Sequence, residues 1–146
     1  MKIALVCSAG GHLTQMLELA DELSDHDTFL VSYDSPRTRK LQRTHIVPSF
    51  ADKGWMIVPS FMRMFSIMVH ERPDVILSTG SEIAIPAFIC GKLSGAKTIF
   101  VESAARITST SMTGRILYPI SDFFFVQWPN LKDRIGKRAI YRGGLL

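Results

Sequence analysis

Three short stretches of this chain set glycine, hydroxyl and ionisable side chains close together. The first is Ser8 to His12, SAGGH. Paired glycines let a backbone turn sharply and approach a ligand, and a helix that begins there offers free N–H groups to a phosphate. His12 follows at once, and an imidazole exchanges a proton near neutral pH, so it is a candidate general base. The stretch is neither the G-x-G-x-x-G dinucleotide fingerprint nor a Walker A loop, because no Gly-Lys-Ser/Thr follows. A plain tight turn, with His12 capping or packing on the first helical turn, accounts for it as well.

The second stretch is Thr79-Gly80-Ser81-Glu82. Thr79, Gly80 and Ser81 can offer hydrogen bonds to a sugar or phosphate. The structural alternative has Ser81 capping a helix and Glu82 complementing its dipole in the first turn. The third is Glu102 to Arg106, ESAAR, where a carboxylate and a guanidinium leave an apolar run together. They can pair with each other. Alternatively, Glu102 meets a sugar hydroxyl or fixes a loop, while Arg106 meets a phosphate.

The elements around these stretches follow one rhythm. Lys2 to Cys7 (KIALVC) is a short apolar run of the kind that forms a strand covered on both faces. From His12 to Ser24, Leu13, Met16, Leu17, Ala20 and Leu23 repeat at helical spacing, and Thr28 to Tyr33 predicts the second strand. This opening is a βαβ unit. Asp34 to Arg43 is a polar, basic loop or the start of a short helix, and His45 to Val47 is a candidate third strand. Further strands are predicted at Val75–Ser78, Lys97–Val101, Phe123–Val126 and Ala139–Tyr141. Helices are expected from Pro59 to before Pro73, from Glu82 to Leu93, and around Thr113–Tyr118. Apolar strands alternating with helices predict a doubly wound, mostly parallel α/β sheet, Rossmann-like. Ligands bind such sheets beyond the carboxyl ends of the strands, and all three polar stretches lie there.

With 146 residues and no linker, repeat or low-complexity tract, one domain spanning 1–146 is expected. An apolar share of 47% is enough for a core and argues against disorder. The net charge of +4 suits a phosphorylated substrate, anionic lipid or nucleic acid. Nucleic acid is the weakest of these, since the basic residues lack interleaved aromatics and any known module. Those residues cluster at Arg37–Arg43 and Lys132–Arg142, where solvated surface charge is the plain alternative. Cys7 and Cys90 sit in apolar runs without metal spacing, as buried reduced thiols would. No metal ligand set and no cofactor is expected. The apolar opening is too short for a secretory leader, and no run reaches the ~18 residues of a membrane span, so a cytoplasmic location is expected.

Trp55 to Val69 (WMIVPSFMRMFSIMV) is dense in apolar residues and holds four of the seven methionines. Three readings stand side by side: a core helix, a membrane-interface helix, and a partner-binding surface using adaptable methionine.

Together the motifs resemble a family, the acceptor-side subunits of the split N-acetylglucosaminyltransferase of lipid-linked oligosaccharide synthesis. The likeness is greatest to its prokaryotic polysaccharide-biosynthesis members of the PssD/CpsF/EpsE type. SAGGH at Ser8 to His12, STGSEIAIPA at Ser78 to Ala87, and above all VESAARITSTSMTGRILYPISDFFFVQWP from Val101 to Pro129 carry it. The order and spacing of these blocks extend the likeness over nearly the whole chain apart from about 34–68.

The resemblance implies the N-terminal half of a GT-B glycosyltransferase cut in two, similar to the acceptor half of MurG. It implies a heterodimer with a donor-binding subunit that supplies the UDP-sugar site, a lipid-pyrophosphate-linked sugar as acceptor, and a peripheral position at the cytoplasmic membrane face. His12 is the first choice of base and Glu102 the second. Ser8, Gly10 and Gly11 would face the acceptor, with Thr79, Gly80, Ser81, Glu82, Ser103 and Arg106 lining the same cleft. A nonenzymatic scaffold that docks the partner to the membrane is the rival. Two departures stand out. Eukaryotic members usually open on a membrane-anchoring helix, so attachment here is expected to fall to 55–69, to basic patches or to the partner. The second turn also reads TGSE where many members carry a Gly-Pro-Gly-type turn.

Overall fold

The computed structural model describes residues 1–145. In chain order its elements are β1 (Lys2–Cys7), α1 (Gly11–Glu22), β2 (Asp27–Ser32), β3 (Thr44–Ile46), α2 (Ile57–Glu71), β4 (Val75–Gly80), α3 (Ala84–Leu93), β5 (Lys97–Val101), α4 (Met112–Leu117), β6 (Phe123–Val126), α5 (Pro129–Ile135) and β7 (Ala139–Tyr141). Short 3₁₀ turns occupy Thr38–Lys40 and Gly54–Met56.

The seven strands form one sheet in the order β3-β2-β1-β4-β5-β6-β7, every neighbour parallel. This is the doubly wound Rossmann-like arrangement that the alternation of apolar strands and helices predicts. From β1 the chain moves outward to β2 and β3, and from β4 it moves the other way. The switch point therefore lies between β1 and β4, where the loops leaving the two strands diverge and open a crevice.

The strands are apolar throughout because both faces are covered. On one face Ile3, Leu5 and Cys7 pack with Leu13 and Met16 of α1. On the other, Phe88, Phe100 and Phe124 join Met64, Ile67 and Met68 of α2. Phe100 and Phe124 stack with centroids 5.1 Å apart, and Phe88 meets Phe100 edge-on. Such pairs contribute about 0.5–1.5 kcal/mol each beyond the area they bury.

One expectation changes, and one reading left open is narrowed. No helix was expected between Phe123–Val126 and Ala139–Tyr141, yet Pro129–Ile135 is helical, with Pro129 in its first turn and only Leu131 buried. A seven-residue helix with one core residue leaves no periodic pattern to read. The Trp55–Val69 stretch is also more than a core helix. Ser60, Met64, Ile67 and Met68 of α2 are buried, but Trp55, Val58, Met62, Phe65 and Val69 lie 46–72% exposed. Their alternating spacing of three and four residues places them on one stripe beside the buried one. Among the described residues no helix is long and apolar enough to cross a membrane.

Candidate functional site

Two of the three polar stretches meet at the switch point. Leaving β1, the chain turns at Gly10, whose φ of 91° is a conformation that side-chain-bearing residues rarely adopt. Gly11 opens α1, and His12 follows in its first turn. From the neighbouring strand, Thr79 and Gly80 form the carboxyl end of β4.

The two turns grip each other reciprocally. His12 Nδ1 lies 2.9 Å from the Thr79 carbonyl oxygen, and Thr79 Oγ1 donates to the His12 carbonyl at 2.8 Å. A carbonyl only accepts, so Nδ1 carries the proton and the neutral ring keeps its lone pair on Nε2. Among the described residues Nε2 has no hydrogen-bond partner, and the side chain is partly exposed. The ring lies against Gly80, where a Cβ would sit 2.7 Å from His12 Cε1. Gly80 is thus needed for space as well as for its φ of 124°.

Ser8 is half-buried at the start of the first turn, and its hydroxyl reaches only the adjacent Ala9 carbonyl, at 3.4 Å. Gly10 and Gly11 are exposed, and nothing stands within 4 Å of where their side chains would begin. Arg37 comes in from the loop after β2 and donates to the Gly10 carbonyl and to Thr14 Oγ1, at 3.3 and 3.2 Å. Its cluster neighbours Arg39 and Arg43 pair with Asp34 and Asp27 instead. Beneath the turn, burial pushes the Cys7 thiol up to about 12 despite a hydrogen bond with Thr79, so Cys7 stays protonated and is no nucleophile.

The helix-cap account of Ser81 and Glu82 does not hold. Helix α3 begins at Ala84, its cap residue is Ile83, and no side chain caps it. Ser81 has a φ of 78° and bonds through Oγ to Glu82 Oε2 at 2.5 Å. A serine in this region is strained, and such strain collects where a turn must present particular groups.

Glu102 and Arg106 do not pair. Glu102 is 1% exposed. One oxygen accepts from the Ser103 N–H at 3.0 Å, and the other accepts from the Ser111 N–H and hydroxyl at 3.0 and 3.1 Å. Ser111 in turn caps α4 by accepting from the Gly114 N–H. Of the roles open to Glu102, the loop-fixing one has this geometry. As a base it would be sealed from substrate and committed to donors already present. The guanidinium of Arg106 is exposed and makes no hydrogen bond among the described residues. Ser103 Oγ accepts from Ala105 N–H and, at 3.5 Å, from Gln15.

Two residues that sequence reasoning passed over connect the third stretch to the first. Gln15 and Gln127 are each 5% exposed. Gln127 Nε2 donates to Gln15 Oε1 at 2.7 Å and to the Glu102 carbonyl at 3.0 Å, and Gln15 Oε1 also accepts from Ala104 N–H. These amides tie α1, the 102–105 loop and the end of β6 together. An amide between Leu13 and Met16, on the apolar side of a helix, was the available signal.

A family model described as oligosaccharide biosynthesis protein Alg14 like matches residues 33–145, most of the chain. The chain belongs to the Alg14 family. It is 31% identical to the UDP-N-acetylglucosamine transferase subunit alg14 of Schizosaccharomyces pombe, over 92% of this chain and 79% of that protein. It is 28% identical to the human UDP-N-acetylglucosamine transferase subunit ALG14, over 100% of this chain and 83% of that protein. In fold it is similar to Acinetobacter baumannii MurG, with a TM-score of 0.76 and 14% identity over 99% of this chain. It spans 45% of that MurG chain, so the likeness covers one part of a longer protein. The resemblance read from SAGGH, STGSEIAIPA and the 101–129 block thus leads to the family that the model match identifies.

Proposed function

We propose that this chain is the acceptor-binding, membrane-recruiting subunit of a two-chain glycosyltransferase. The pair transfers a sugar, N-acetylglucosamine in its named relatives, from a UDP-sugar to a lipid-pyrophosphate-linked sugar. The donor site belongs to the partner subunit. The observation that carries the reading is the His12 imidazole, held over Gly80 at the switch point by the Thr79 carbonyl with Nε2 unpartnered.

In this reading the acceptor hydroxyl approaches Nε2. Its oxygen bonds to the anomeric carbon as the bond from that carbon to UDP breaks, with inversion, and its proton passes to Nε2. Thr79 serves by fixing the tautomer and the ring plane. Gly10 and Gly11 leave room for the acceptor to come close to backbone, Arg37 adds positive charge there, and Ser81, Glu82, Ser103 and Arg106 line the approach. Glu102 acts by holding the 103–111 loop and not as the base.

Recruitment to the cytoplasmic membrane face is assigned to the exposed stripe of α2 and the 3₁₀ turn that precedes it. Trp55, Met62 and Phe65 carry the apolar surface, and the exposed cations Lys53, Arg63 and Arg72 flank it. That combination suits the headgroup region of an anionic bilayer.

The test is reconstitution with the donor-binding partner on membranes carrying a polyprenyl-diphosphate-linked sugar, with transfer from UDP-N-acetylglucosamine measured. Transfer is expected only with both chains, and loss in His12→Ala with the complex intact. An active pair indifferent to His12→Ala would make the chain a docking scaffold, and no complex and no transfer would remove the function.

A further inference from the structure

Residues of the 101–129 block and of α5, none of them among the candidate site residues above, line an open cavity of about 330 Å³. Two guanidiniums, Arg115 and Arg134, and three consecutive hydroxyl residues, Thr108, Ser109 and Thr110, stand in its walls. Tyr118 and Leu131 give it an apolar side, and no carboxylate lines it.

The charge in this cavity is not neutralised by a carboxylate among the described residues. Lys2, Arg39, Arg43 and Lys92 each have a carboxylate, whereas among the described residues neither Arg115 nor Arg134 does. Among the described residues Arg134 reaches only the Thr108 carbonyl, at 3.4 Å, and the Arg115 guanidinium makes no hydrogen bond. Two like charges on one cavity repel, and an anion between them turns that repulsion into attraction. The planar fork of arginine matches phosphate oxygens, and hydroxyls supply further donors. The walls are held in place beforehand. Glu102 fixes Ser111, Ser111 caps α4, and Arg134 closes on the 108 carbonyl.

Exposed apolar residues next to the lining ones in sequence indicate what the phosphate is attached to. Ile107, Met112 and Ile116 are 47%, 78% and 47% exposed, and Met112 stands one helical step from Arg115. We propose that this cavity takes the phosphate headgroup of a lipid, between Arg115 and Arg134, with the apolar chain lying along Met112 and Ile116. The headgroup chemistry is shared by a bilayer phospholipid and by a prenyl diphosphate carrier. The inference goes beyond the transfer reading, since it needs neither donor nor reaction.

The test titrates the 146-residue chain with three probes: inorganic pyrophosphate, farnesyl diphosphate, and phosphatidylcholine vesicles with or without phosphatidylglycerol. Arg115→Gln and Arg134→Gln are each expected to weaken binding by about tenfold, the scale of one charge-assisted contact. Lys137→Gln, which removes an exposed cation outside the cavity, should leave it unchanged. Sensitivity with farnesyl diphosphate alone identifies the carrier, and sensitivity with phosphatidylglycerol vesicles alone identifies the bilayer. A response shared by pyrophosphate shows that the phosphate suffices. Should Arg134→Gln unfold through loss of its Thr108 contact, Arg115→Gln carries the test. The proposal is overturned if the parent binds none of the probes, if both arginine variants bind like the parent, or if Lys137→Gln weakens binding as much as they do.

Discussion

At the scale of single residues, the proposed reactive arrangement rests on one nitrogen and the groups that aim it. His12→Ala removes the proposed base and is expected to lower transfer by about 10²–10⁴-fold while the two chains still assemble. Transfer assays beside co-purification check both halves of that statement. Gly80→Ala should reach a similar loss by another route. Its Cβ would sit 2.7 Å from the imidazole, and its φ of 124° disfavours any side chain, so the ring must leave its place against the turn. A melt of the variant is expected to show destabilisation of about 1–3 kcal/mol as well. Glu102→Gln separates the loop anchor from a base. The amide keeps one acceptor oxygen and turns its NH₂ toward existing donors, which costs about 1–3 kcal/mol. Stability should fall while the pH profile of transfer keeps its shape; a displaced acidic limb would return Glu102 to the chemistry.

At the scale of elements, short irregular segments carry more of the site than the helices do. The loop between β5 and α4 is positioned by Glu102, Ser111 and the Gln15–Gln127 amides. A Cβ on Gly114 would collide with the Glu102 carboxylate and crowd the Ser111 hydroxyl. Gly114→Ala is therefore expected to cost about 1–3 kcal/mol and to loosen residues 103–111, seen as faster amide exchange there than in β4. For α2, a double change of Met62 and Phe65 to serine should leave the melting temperature nearly unchanged, because both side chains are exposed. Each loses about 1.5–3 kcal/mol of burial in an apolar medium, so binding to anionic vesicles should drop by at least about tenfold. Unchanged binding would move recruitment to another surface or to the partner.

At the scale of the whole molecule, two ion pairs join distant parts of the chain and set its response to acid. Lys2, with His45 adding to it, holds the Glu71 carboxyl at about 2, and so ties the start of β1 to the end of α2. Burial alone would raise Asp122, but Lys92 and the Thr98 N–H and hydroxyl outweigh it and hold it at about 2. Both carboxyls lie below their unfolded values near 4, so their contribution is complete above that value. It is lost as the pH falls from about 4 toward about 2. Melting temperature followed against pH should drop across that window, with a shallower drop in Glu71→Gln and Asp122→Asn. Equal slopes in parent and variants would mean that other carboxylates govern acid unfolding.

What the sequence settled by itself is the layout that repeats along the chain. Apolar strands of three to six residues, each bounded by a polar or glycine turn, allow a parallel sheet and little else, and the ends of Lys2–Cys7, Val75–Ser78 and Lys97–Val101 are where Ser8–His12, Thr79–Glu82 and Glu102–Arg106 fall. The motifs were legible for the same reason, since each is a contiguous string. Contacts between strings were not. Nothing in the spacing of His12 and Thr79 says that β1 and β4 are neighbours; that follows from the strand order, which only packing in three dimensions decides. The same limit explains Glu102, whose neighbours in sequence suggest a pair with Arg106, while Ser111 reaches it first once the loop folds back. Gln15 and Gln127, 112 residues apart, show it most plainly. A buried amide takes its meaning from its partner, and the partner is chosen by the tertiary fold.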